Sequence, residues 1–312
     1  MKDGLVRRWL EAGRLDLPLP GSGATGDRWQ RLAVLTQEDI VAGRIAEAHA
    51  DAVAILEELG GKPPLPGELW GVWAAESSDA VLTAGAGTET TLRGTKPWCS
   101  AAGFCTHALV TARRPDGERA LFAVAVTPPT ARPLPSTWRA AGMAESDTRS
   151  VQFNEAPAVL VGRPGDYLTR PGFWHGAVGV AACWLGGARA VAEPLYDRAR
   201  SERLDVHGLA HLGAVDAVLA GAEATLAATA TRFDADPFDR TGHAQLLARR
   251  ARAVVEHAVD ETITRTGRAL GPGPLAQDGR HARNVADLGM YVRQSHAERD
   301  LADLGRQVGR LS

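Results

Sequence analysis

Cysteine is scarce in this chain of 312 residues. Cys99, Cys105 and Cys183 show no metal-ligand spacing, and an odd number does not build a disulfide framework. The expectation is free thiols in a reducing cytoplasm and no metal site. An excess of charge is missing too, because 35 basic and 37 acidic residues leave a formal net charge of -2. That balance gives no electrostatic footprint for nucleic acid or an anionic membrane. No run approaches a bilayer-spanning length, and Met1-Lys2-Asp3-Gly4 leads into a mixed, charged segment rather than an apolar leader. A soluble protein is expected. There is neither an internal repeat nor a low-complexity tract.

What is present changes class along the chain. Residues 1 to 24 are rich in Gly, Pro and Leu. A helical pattern then begins at Asp27, and a second follows from Ile40 to Leu59. In the latter, Val41, Ile45, Ala48, Ala52, Ile55, Leu56 and Leu59 recur at three- and four-residue intervals before Gly60-Gly61. His49 reads as a helix-face residue. Between Leu69 and Ala156 the period moves toward two. Ala108 to Arg113 and Arg119 to Thr127 read as strands joined by the turn Pro115-Asp116-Gly117, and another strand runs through Ser150-Phe153. After Gly172 the pattern is helical again. Small residues from Gly176 to Ala188 permit close helix contact, and further helices are expected over Leu209 to Arg232, Thr241 to Gly267 and Arg280 to Leu311.

Several motifs bear on chemistry. Leu92-Arg93-Gly94-Thr95-Lys96-Pro97-Trp98-Cys99-Ser100 sets an aromatic and a hydroxyl two residues apart, which strand alternation places on one face with Cys99 opposite. This window resembles the flavin-facing strand of acyl-CoA dehydrogenases. Glu76-Ser77-Ser78-Asp79 is similar to a cut-down form of that family's flavin- and substrate-contacting loop, without its Pro-Gly-Ala-Gly centre. Gly142 to Phe153 resembles the segment that closes the family's β domain, and Gly162 to Tyr167 the loop leading into its bundle. Arg200 matches an arginine that reaches a cofactor phosphate across a subunit interface, a pairing guanidinium geometry suits. Leu270-Gly271-Pro272-Gly273 resembles a turn near a neighbouring subunit's cofactor.

The resemblance implies an α+β chain of three parts: a shortened helical domain over 1–66, a central β-barrel or sandwich domain over 67–165, and a four-helix bundle over 166–312. It further implies FAD held between the β domain and the bundle. Trp98, Ser100, Glu76, Ser78, Arg200, Gly271 and Gly273 would contact it, in a homodimer or homotetramer, with an electron-acceptor protein as a possible partner. One part of the pattern is absent. The family's catalytic glutamate falls near Gln294-Ser295-His296, and its alternative site near Phe173-Trp174-His175-Gly176, and neither window holds a carboxylate. His296 and His175 stand there instead, and a neutral imidazole can accept a proton near neutral pH.

Three functions remain open on these residues. One is hydride transfer to flavin from an acyl-CoA, acyl-carrier or related small substrate. Another is a flavin-dependent monooxygenase or oxidase assisted by His175 or His296. The third is a scaffold or partner subunit without FAD.

Overall fold

The structure is a computed structural model and describes residues 2–77 and 80–310. Three helices come first, α1 (Asp3–Glu11), α2 (Thr25–Glu38) and α3 (Ile40–Glu58). Strands β1 (Trp70–Trp73), β2 (Leu82–Ala84), β3 (Glu89–Cys99), β4 (His107–Arg113), β5 (Arg119–Ala125), β6 (Ala131–Pro133) and β7 (Arg149–Val161) follow. The rest is helical: α4 (Asp166–Thr169), α5 (Gly172–Arg200), α6 (Val206–Ala235), α7 (Ala244–Leu270), α8 (Pro272–Gln277), α9 (Gly279–Tyr291) and α10 (Glu298–Val308).

These elements form two compact units, with the division falling inside α3 and near the start of α5. One unit holds Met1–Leu17, Ile45–Arg139 and Ala144–Phe173. Its strands run in the order β1-β4-β2-β3-β7-β5, and a further β4–β5 pair closes the sheet on itself. The β4–β5 hairpin turns where the sequence expects it. Gly117 takes φ +84°, Arg113 pairs with Arg119, and the Gly117 N–H donates to the Arg114 carbonyl at 3.0 Å. The apolar stripe of α3 (Ala52, Ile55, Leu56) packs with Trp70, Leu109, Leu121 and Val161 from four strands. His49 on the same helix is buried and accepts the Trp70 N–H on Nδ1 at 3.1 Å, and burial pushes its pKa down to about 4. It is a neutral structural acceptor.

The other unit holds Pro18–Arg44, Ala140–Met143 and Trp174–Ser312. Its small residues work as close-contact points. A Cβ on Gly186 would sit 2.1 Å from the Ala33 carbonyl oxygen of α2, and one on Gly142 would sit 2.2 Å from the Ala286 carbonyl oxygen of α9. Beside the latter contact, the Met143 N–H donates to Asp287 Oδ1 at 2.6 Å.

Three sequence expectations are corrected. The Gly/Pro/Leu-rich opening contains α1, an amphipathic helix with Val6 and Trp9 buried. The helix expected from Arg280 to Leu311 is two, because Ser295 is extended and Ala297 takes φ +45° and ψ -113°. No Pro or Gly marks that break. Tertiary bonds hold it, with Ser295 Oγ bound to Glu256 of α7 at 2.5 Å. Finally, α6 is long and apolar enough, by length and composition, to cross a membrane. Its apolarity comes from Leu, Val and Ala, and Val215, Leu219, Ala222, Leu226 and Phe233 are buried within the helical unit.

Replacing Gly186 by Ala is expected to destabilise the protein by about 1–3 kcal/mol, because the obstructing atoms are backbone. Gly213→Ala, on the exposed side of α6 with nothing near its Cβ, is the control and should gain about 0.5–1 kcal/mol. Urea unfolding midpoints of the two variants measure both effects.

Candidate functional site

Trp98 lies in an irregular stretch of β3. Between Lys96 and Cys99 three steps along β3 face two along β7, from Val151 to Arg149, so β3 carries an extra residue there. Trp98 takes φ +59°, a rare backbone region for a bulky side chain, and is 60% exposed. Its ring meets Trp138 edge to face at 6.3 Å. Strained backbone holding an aromatic in solvent is a feature of ligand contacts. The expected alternation survives in exposure for Trp98 and for Cys99, which is fully buried. Its geometric basis is corrected, because the bulge resets the pleat and Ser100 lies just past the strand's end.

Ser100 opens a chain of hydroxyls. Its Oγ lies 3.1 Å from Thr148 Oγ1, which in turn lies 2.8 Å from Ser146 Oγ, while the Ser100 carbonyl accepts the Trp73 indole N–H at 3.0 Å. An exposed indole followed two residues later by an orientable hydroxyl fits a flavin ring, which needs an apolar stacking surface and a hydrogen bond at its polar edge.

Behind this strand sits Lys96, one of three lysines in the chain. It is 3% exposed, and its Nζ donates to the Thr111 carbonyl at 2.9 Å and to Thr111 Oγ1 at 2.8 Å. Burial pushes its pKa down to about 8, opposed by Glu76. Glu76 itself is ion-paired with Arg119 of β5. Ser78 lies outside the described residues. Burial also pushes up the thiols of Cys99 and Cys105, the latter to about 12, so both are poor nucleophiles.

The remaining expected residues lie in the helical unit. His175, in the first turn of α5, is 2% exposed and stacks on Phe233 with ring centres 4.2 Å apart. His296 is exposed at the break before α10, where its backbone N–H donates to Asp300 Oδ2 at 3.1 Å and its Nδ1 lies 3.7 Å from Oδ1. Arg200 ends α5, exposed and paired with Asp197. Gly271 caps α7 at φ +67°, which a side chain would strain, and a Cβ on either Gly271 or Gly273 would meet nothing within 4 Å.

Neither histidine lines a small cleft of this unit that gathers several charged side chains. That cleft, about 80 Å³, is lined by Trp174, Arg249, Arg252, Ala253, Glu256, Ser295, Ala297, Asp300 and Leu301. Trp174 and Ser295 come from the two windows where the sequence lacks a carboxylate, and Glu256 of α7 brings one to them. Sequence reasoning missed Glu256 because it looks like any charge on a charged helix. Among the described residues no His, Cys, Asp and Glu cluster suits a metal.

The sequence matches no family model, and no curated protein sequence matches it significantly. Solved structures do match. TdsC from Paenibacillus sp. A11-2, in complex with FMN and indole, is 17% identical, with 100% of this chain and 96% of that chain covered at a TM-score of 0.78. A nitrososynthase from Micromonospora carbonacea var. africana is 18% identical over 96% of this chain and 88% of that one, at 0.79. KijD3, in complex with FMN and an amino-keto dTDP-sugar, is 19% identical over 99% and 91%, at 0.78. The chain therefore has the acyl-CoA dehydrogenase fold.

Stability should rise with pH between about 8 and 10.5 on account of Lys96, because there the unfolded chain keeps a proton that the folded one gives up. The rise is about 3 kcal/mol for this shift. In Lys96→Met that component of the slope should vanish, as read from chemical denaturation at a series of pH values.

Proposed function

We propose that the protein is a flavin-dependent oxidoreductase that oxygenates a small molecule. The observation that carries this reading is Trp98, an indole held in solvent by a strained bulge two residues before the Ser100 hydroxyl. Trp98 would stack on the ring and Ser100 would donate to its polar edge, its rotor set by Thr148 and Ser146. A bound reduced flavin supplies electrons for oxygen activation. The chain's own residues hold the ring and handle the proton.

Oxygenation is favoured over acyl-CoA dehydrogenation because TdsC is described as a dibenzothiophene monooxygenase. FMN is favoured over FAD because TdsC and KijD3 are both seen with FMN. In a homodimer or homotetramer, Arg200 and the Gly271-Gly273 turn would serve the flavin of a neighbouring subunit. His296, exposed beside Asp300, and His175, stacked on Phe233, are the histidines proposed to handle the proton. The three buried free cysteines suit a reducing cytoplasm.

Incubation with FMN or with FAD, followed by removal of free flavin, should leave a near-stoichiometric visible flavin spectrum. Trp98→Ala should then weaken flavin binding at least tenfold, which corresponds to about 1.4 kcal/mol. A colourless wild-type protein would favour the scaffold reading, and unchanged affinity in the variant would remove Trp98 from the cofactor site. Oxygen consumption by the protein loaded with reduced flavin separates oxygenation from dehydrogenation.

A further inference from the structure

The cleft of the helical unit has a composition that does not follow from a flavin site. Four of its lining residues are ionisable, Arg249, Arg252, Glu256 and Asp300, and their formal charges sum to zero. Arg249 and Glu256 lie seven residues apart on α7, two turns along the same helix face and about 10 Å apart on its axis. Ala253, between them on that face, is small enough to leave a floor open. Trp174 forms an aromatic wall, with the Arg249 guanidinium 5.9 Å from its ring centre.

The two ends of this floor differ in sign, and each keeps binding capacity. Arg249 spends one hydrogen bond on Asp303 at 3.2 Å, out of the five N–H groups a guanidinium carries, although its side chain is only 18% exposed. Glu256 accepts from Ser295 on Oε2, which leaves a second carboxylate oxygen. Ser295 also accepts the Ala297 N–H at 3.1 Å, so the hydroxyl that orients Glu256 is itself fixed. Arg252 is directed elsewhere, to the Ala177 carbonyl at 2.6 Å and over the Trp184 ring. The backbone break at Ala297 is what brings Ser295 and Asp300 to the same cleft as α7.

We infer that this cleft is a binding site for a small zwitterion, an aminocarboxylate whose carboxylate pairs with Arg249 and whose ammonium pairs with Glu256. Its volume of about 80 Å³ has room for about six non-hydrogen atoms at 10–15 Å³ for each water-sized position. That is the size of alanine, or of the aminocarboxylate end of a larger molecule. The spare groups decide the class: Arg249 keeps N–H donors at one end and Glu256 a carboxylate oxygen at the other, so a ligand with one anionic and one cationic end satisfies both. The guanidinium fork of Arg249 suits a carboxylate. The inference is independent of the flavin assignment, because it concerns binding to side chains of one unit.

Calorimetric titration of the full-length protein with glycine, L-alanine and β-alanine, each beside acetate and methylammonium chloride, tests it. At least one aminocarboxylate should bind ten or more times tighter than either half-ligand. Arg249→Gln and Glu256→Gln should each weaken that binding at least tenfold, and Ser295→Ala by a smaller factor. Ala253→Leu leaves every charge in place and fills the floor, so with unchanged circular dichroism it should abolish binding. The inference is overturned if none of the three aminocarboxylates binds, if acetate or methylammonium binds equally well, or if affinity survives in Glu256→Gln. Flavin content of the same samples, read from the visible spectrum, is expected to be unaffected, so failure here is distinct from failure of the cofactor reading.

Discussion

A buried guanidinium fixes where the long helix α5 begins. Arg170 is 5% exposed, its Nη1 donates to Glu58 Oε2 at 2.6 Å, and Asp51 lies 3.7 Å away. The same glutamate, the last residue of α3, accepts the Gly172 N–H on its other oxygen at 2.9 Å and so caps the first turn of α5. A side chain at Gly172 would enter the carboxylate, with a Cβ 2.1 Å from Oε2. A buried charge left without partners is destabilising by several kcal/mol, so this clamp constrains more than it contributes in net stability.

The barrel shows a second constraint of the same kind. Lys96 reaches from β3 to Thr111 on β4, past the short β2, and places a polar head where an apolar side chain would be expected. The bulge follows directly after it, and Trp98 emerges there into solvent. A residue anchored inward and a residue strained outward, two positions apart, define one rigid presentation of the indole. Such strain persists only where the surroundings over-determine it.

The helical unit handles polarity differently. Its charges are arranged around an open cleft instead of a single buried anchor, and the backbone itself is bent to complete it. Ser295 and Ala297 leave helical geometry although nothing in their sequence forbids a helix: Ser295 is held by Glu256 of a different helix, and the Ala297 N–H donates to Ser295 Oγ. The two histidines inside the windows that lack a glutamate have opposite environments, His175 in an aromatic stack and His296 in solvent.

The α3 stripe, the Pro115-Asp116-Gly117 hairpin, the small residues of α5 and the Trp98-Ser100 spacing were written in the sequence, because they rest on local periodicity and turn chemistry and read from near neighbours in the chain. The Gly142 segment was legible as a marker, while its contact with Ala286 and Asp287 was not. Tertiary structure alone decided the bulge at Trp98, the burial of Lys96, the break before α10 and the convergence of Trp174, Glu256 and Ser295. Each of these depends on groups tens of residues apart, and a residue's own neighbours carry no record of which distant partner will satisfy its charge or hydrogen bond. Periodicity specifies which face of an element is buried. The identity of the polar group waiting on the other side is fixed only when the chain closes around it.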